Sequence, residues 1–512
     1  MEMSGNDSHE SGDGRTGVSR RDFVRAAGAT GIAVGVAGCS GGGGDGGDGG
    51  DGGDGGGQGT TAGDGGSSSG ITLQFASDSN FKKIQSDVND LLHQNGVDQN
   101  VSLEILGGSF VSDDRQTKYK NVLNASQKQP TLLMVDNGWT IPFIVRDQIA
   151  NLSDALPSSV VDTVENDYLS TMVATAQGQN GDLYGVPLFA DFPTIQYRKD
   201  LVAEAGYSES DFEKWATESM TWQQFSNLVD EVQSANSGME GYNFQGAAYI
   251  GLACCDFVEF MSSWGGSYFG AFDNLFGPVG DRTVTVDEQP VVDSINMIRH
   301  FIYGENPGGK FGDYAGGISP EAVVQYKEES SRKPFTNGNV LFHRNWPYSI
   351  NINGSEENFG EDLGVMPIPY GVTADESDYG PEIGGIPAAL GGWHVALNPN
   401  APQEKRDAAT QVFEAMTTED FQLGLFEAGG YIPPVTERIN SSRAQDLDVI
   451  GRYVDSLAVA GENAVPRPVT RVWNQQQQQV SKEVNAAYKQ EKSASQAMSD
   501  LKQAMQQIEN SV

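Results

Sequence analysis

Apolar and polar positions alternate along Ile71–Ala76 (ITLQFA), and Phe81, Ile84, Val88, Leu91 and Leu92 then recur at helical spacing. The next apolar runs, VSLEIL from Val101 and TLLMVD at Thr131–Asp136, predict two more strands. Helical periodicity returns at Thr221–Val232, opened by the capping-box-like T-W-Q-Q, at Val291–Tyr303 and at Asp407–Met416. A last long amphipathic stretch runs from Val480 to Ile508, and Gln475–Gln479 at its start read as helical surface filler. Strands alternating with amphipathic helices predict an α/β class built on a mainly parallel sheet. Polar residues at the carboxyl ends of such strands face the crevice where open sheets bind ligands, which singles out Asp78 and Asp136. Asp78 serves equally well as a helix N-cap.

The first seventy residues carry a different pattern. SRRDFV at 19–24 precedes a small-residue apolar run that ends in V-A-G-C at Val36–Cys39. That run is shorter than the roughly 20 residues a helix needs to cross a bilayer, so it reads as the core of a cleaved signal. The order of motifs resembles a twin-arginine export signal closing on a lipobox, which implies a signal peptide over 1–38 and a lipid on Cys39. Residues 39–70 are Gly/Asp-rich with no apolar residue able to seed a core, and read as a tether spanning roughly 30 Å as a flexible coil.

Composition narrows the function. The 512 residues carry a formal net charge of −37, which disfavours nucleic acid and anionic lipid as partners. Acids scattered through well-patterned apolar segments suit solubility in concentrated salt, and imply a halophilic source. The cysteines are Cys39, Cys254 and Cys255, too few for a disulfide framework, and the adjacent pair reads as two small buried hydrophobes. The histidines are isolated, and no nucleophile elbow, phosphate loop or metal-ligand spacing occurs, so neither catalysis nor a cofactor or metal is predicted. Asp136 and Asp191 leave a glycoside hydrolase open as an alternative, and a surface lipoprotein without a transport role is another.

What accumulates instead is aromatic and amide-rich clusters flanked by glycine: Asn137-Gly138-Trp139, Trp264 to Tyr268, Arg344 to Tyr348 and Gly391 to His394. A sugar ring offers an apolar C–H face and a rim of hydroxyls, so its site needs flat aromatics beside carboxylates, amides or arginine. Any one tryptophan alone would be read as core.

With LYGVPLFADFPTIQYRKDLVAEAGY (183–207), CDFVEF (255–260), GNVLFHRNWPY (338–348), GGWHVAL (391–397) and AVPRPV (464–469) in that order, the chain resembles the extracellular solute-binding proteins of ABC importers of the maltose/trehalose type. The resemblance covers roughly Ile71–Ile508 and implies a type II periplasmic-binding-protein fold: two α/β lobes, a ligand cleft and a multi-segment hinge. It places one lobe over 71–184 and 342–416 and the other over 185–341 and 417–512. It also implies a monomeric, cell-surface, lipid-anchored protein that hands a mono- or oligosaccharide to ABC permease subunits. By the same carry-over, Asp136 and Asp191 hold hydroxyls, Trp346 and Trp393 stack, Gly391 and Gly392 offer backbone, and Arg467 is the cleft arginine. Asp78, Lys118, Phe189 and Tyr249 complete the implied ligand set. Phe189 replaces the family's tyrosine, Lys118 stands for its arginine, and Asp78 lies in a shortened acidic segment. Tyr119, Tyr249, Trp264, Tyr268 and Trp473 are weaker candidates whose core or rim reading is equally good.

Overall fold

The computed structural model describes residues 70–511; the twin-arginine stretch, Cys39 and the tether before Gly70 lie outside the described residues. In a six-stranded sheet, β1 (Ile71–Asp78) pairs in parallel with β2 (Val101–Gly108) and β3 (Leu132–Asp136). The crossovers are α1 (Ser79–Lys83) and α2 (Gln85–Gln94) after β1, and α3 (Ser112–Asn124) after β2. The single helix predicted over 81–92 is broken at Ile84, which leaves helical geometry at φ −96° and ψ 20°. All of β3 is buried, as its continuous apolar run requires of a central strand.

β4 (Val186–Asp191) ends in this sheet, and β5 (Thr194–Arg198) begins in a second, four-stranded one with β6 (Glu240–Asn243), β7 (Val340–Asn345) and β8 (Leu363–Met366). The helix α4 (Trp222–Ala235) packs there, its Thr221 capping box complete as the sequence predicts. α5 (Gln289–Tyr303) covers the same core. The chain returns to the first sheet as β9 (Ala388–Leu397), followed by α6 (Gln403–Met416), α7 (Glu419–Gly429) and the short β10 (Ala464–Pro466). It finishes against the second core with α8 (Trp473–Tyr488) and α9 (Ala494–Glu509). The two α/β lobes are thus linked at Phe192–Pro193, between Met366 and Ala388, and after Pro466.

Several expectations are corrected. The sheets are mixed: β9 runs antiparallel to β3 and β4, and β5 antiparallel to β7 and β8. Strands arriving from the other lobe are free of the βαβ crossover that enforces parallel pairing. The expected boundary at 341/342 falls inside β7, whose pairing with β5 and β6 keeps it in the second sheet. The stretch from Val480 to Ile508 is two packed helices, broken after Tyr488. Of the glutamine run, Gln476 and Gln477 are buried, and Gln476 Nε2 donates to Glu509 Oε1 at 2.6 Å. No helix among the described residues is long and apolar enough to cross a membrane.

Candidate functional site

β9 organises the site because it pairs along its length with several strands. Its register sets Trp393 opposite both Asp136, at the carboxyl end of β3, and Phe189 on β4, and sets Gly391 opposite Asp191. Asp78 ends β1 in the same sheet. From the second sheet, Thr194 of β5 pairs with Asn345 of β7, so the next residue, Trp346, emerges beside the crossover that carries Asp191. A cleft of about 80 Å³ lies at this seam.

Asp78, Asp136, Phe189, Asp191, Tyr249, Trp346, Gly391, Gly392, Trp393 and Arg467 all line it. Lys118 does not: it lies on the exposed face of α3. Arg115, three residues earlier on the buried face, occupies the cleft instead, with its Nη1 3.0 Å from Asp78 Oδ2 and its guanidinium 4.1 Å over the Trp393 ring. The spacing of Arg115 and Tyr119 on one buried helical face was the available signal. Asp78 fills both of its candidate roles, since its Oδ1 also accepts from the backbone N–H groups of Asn80 and Phe81.

Charge is arranged unevenly. Asp136 Oδ1 is held by Arg467 Nη1 at 2.8 Å and by the Gly138 N–H at 2.8 Å. A Cβ at Gly138 would stand 2.4 Å from Arg467 Nη1, so only glycine leaves room for that pair. The Asp191 carboxylate has no protein hydrogen bond among the described residues. Burial raises its pKa well above the ordinary carboxylate value, opposed by Arg344 and assisted by Asp136, Asp78 and Glu328. Tyr249 donates to Glu328 Oε1 at 2.8 Å, and burial raises the Glu328 pKa as well.

The apolar wall rests on a buried ion cluster. Arg344 lies under the Trp346 ring at 4.6 Å, donates from Nε to Glu259 at 2.8 Å and from Nη1 to Gln245 at 2.6 Å, and sits 3.4 Å from Asp256. A Cβ on Gly391 would approach Trp346 Cζ3 to 2.8 Å, so glycine there permits the indole to close on β9. Tyr348, Tyr431, Phe110, Ser112 and Glu328 also line the cleft and were not picked out as ligand residues. Tyr348 belongs to the same RNWPY motif as Trp346; Tyr431 carries no local signal.

Of the weaker candidates, all but Tyr249 are core. Tyr119 packs on the fully buried Trp139, Trp264 is buried with its Nε1 on Met297 Sδ at 3.4 Å, and the rings of Tyr268 and Trp473 meet at a tilt of 60° with centroids 5.2 Å apart. His394 is buried and hydrogen-bonded to Thr175 Oγ1 at 2.8 Å, away from the cleft. Cys254 and Cys255, whose redox state the sequence leaves open, are buried, are joined in a disulfide, and line the cleft. Among the described residues no cluster of ligating side chains could hold a metal ion.

Residues 98–448 match the family described as bacterial extracellular solute-binding protein, and the chain belongs to that family. A probable ABC transporter-binding protein of Deinococcus radiodurans is 28% identical over 367 residues, covering 70% of this chain and 74% of its own. Among solved structures, the maltose-bound MalE3 of T. maritima is similar at a TM-score of 0.69 and 24% identity, over 85% of this chain and 99% of that one. A Thermotoga lettingae solute-binding protein bound with α-D-tagatose reaches a TM-score of 0.67 at 17% identity, over 86% and 100%. UgpB of Mycobacterium tuberculosis, in complex with glycerophosphocholine, reaches 0.64 at 17%, over 85% and 98%.

Proposed function

We propose that this chain is the substrate-binding lipoprotein of an ABC sugar importer, anchored outside the cytoplasmic membrane through Cys39 after twin-arginine export. It takes a mono- or oligosaccharide of the maltose or trehalose kind, acts as a monomer, and delivers the sugar to permease subunits. The observation that carries this reading is the convergence at one interlobe cleft of a hydrogen-bond-free carboxylate, Asp191, an aromatic shelf, Trp346, and the pair Asp136–Arg467. The shelf suits the C–H face of a ring, and the carboxylate suits adjacent hydroxyls. The maltose-bound and tagatose-bound relatives by fold support the same ligand class.

Closure of the lobes on the sugar would report occupancy to the membrane partner. Calorimetric titration of the purified chain against glucose, maltose, trehalose and longer α-glucans tests the proposal, and a panel without a binder overturns it. Incubation with the bound sugar for a day, followed by an assay for reducing ends, separates it from a glycoside hydrolase using Asp136 and Asp191: turnover would favour the enzyme.

A further inference from the structure

The Cys254–Cys255 disulfide sits in a π-helical turn, Leu252–Asp256, whose residues are all buried. Single π-turns cluster at functional sites. Both cysteines line the cleft and pack into one apolar cluster with Trp346, Tyr348 and Ala389. The turn is fixed from behind. Tyr268 donates to the Ala253 carbonyl at 2.6 Å, and the Gln245 N–H donates to Asp256 Oδ1 at 3.0 Å. Asp256 in turn lies 3.4 Å from Arg344, the same guanidinium that underlies Trp346. The disulfide and the indole therefore share a support and present a continuous surface.

Two free thiols would offer S–H donors on rotors; the disulfide replaces them with a locked, polarizable pair of sulfurs that cannot donate. A ligand hydroxyl pressed against that surface would give up water without gaining a partner, whereas a C–H patch would not. We propose that the Cys254–Cys255 disulfide is a ligand-contacting, specificity-determining part of the cleft, extending the Trp346 shelf to take the C–H face of a sugar ring. The proposal rests on the sugar-binding reading above.

The test uses the full chain and the sugar it binds best in the panel. C254A/C255A should weaken that sugar about tenfold, the scale of one lost apolar contact surface. In the wild type, a water-soluble phosphine cleaves the disulfide to two thiols and is itself converted to the phosphine oxide with an oxygen from water. Alkylation and mass measurement of the Cys254–Cys255 peptide give the rate. If bound sugar covers the sulfurs, that rate should fall about tenfold with sugar at ten times its Kd. Unchanged affinity in C254A/C255A overturns the proposal. Should that variant fail to fold, a phosphine rate indifferent to bound sugar overturns it. A wild type that binds no sugar in the panel defeats the sugar reading itself, which is a different result from bound sugar over an indifferent disulfide.

Discussion

At the residue scale, the site divides between a side chain left without partners and others that are tied down. Asp191 belongs to the first kind, and its raised pKa has a sign that can be worked out. Because burial favours the protonated form in the fold, stability contributed by Asp191 is present at acid pH and is lost as pH rises above 3.8 through the folded value. Asp191→Asn removes the penalty of the buried charge. Its melting temperature should therefore gain on the wild type as pH rises from the acid side, while its sugar affinity falls by about 1.5–3 kcal/mol, the range for a hydrogen bond to a charged group. Thermal melts across pH and calorimetry at neutral pH check the two halves. Trp346→Ala should weaken the sugar by about 1 kcal/mol or more through loss of the stacked ring. Asp136, Trp346 and Trp393 stand in short motifs with glycine or amide neighbours, whereas Asp191, in FADFP, was singled out as a ligand residue through the resemblance alone. Arg115 was displaced by Lys118, since charge type and approximate position are visible in a sequence and helical phase is weighed less easily.

At the scale of elements, the strongly periodic segments were legible almost to their ends. Thr221 opens α4 by accepting from the Gln224 N–H at 3.2 Å, as the capping pattern requires. Thr221→Ala should cost about 1 kcal/mol, measured by denaturant titration. The misread elements share a cause. Ile84 keeps the apolar spacing of a continuous helix through a break, and the stretch from Val480 to Ile508 keeps it through the turn between α8 and α9. Periodicity records which face is buried and is insensitive to a change of direction. The π-turn and β7 are joined by Arg344, whose removal would leave the carboxylates of Asp256 and Glu259 buried without a counter-charge. Arg344→Met should destabilise the protein by about 3–5 kcal/mol and disturb Trp346, readable together as a lowered melting temperature and a changed tryptophan emission.

At the scale of the molecule, the two sheets are joined where the chain crosses between them and by a shared buried cluster that includes Ala190 of β4, Leu390 of β9, Val340 of β7 and Val365 of β8. Small-angle scattering should show a smaller radius of gyration on addition of the bound sugar, with no such change in Trp346→Ala at the same concentration. The net charge of −37 makes a separate prediction. Melting temperature should rise steeply from low ionic strength toward molar salt, because a Debye length falling from about 30 Å at 0.01 M to about 3 Å at 1 M removes self-repulsion between dispersed acids. A flat salt profile would sink the halophilic reading.

The sequence by itself determined three strands of the first sheet, the main amphipathic helices and the α/β class, which follow from local periodicity. Most of the cleft residues it pointed to came through the resemblance, carried by motifs whose chemistry lies in the side chain. Only the tertiary structure decided the direction in which β9 and β5 run, which face of α3 enters the cleft, that Tyr431 joins it, and that adjacent cysteines close on each other at its wall. Each of those depends on contacts between residues far apart in the chain or on the exact path of the backbone, and neither leaves a mark on local spacing.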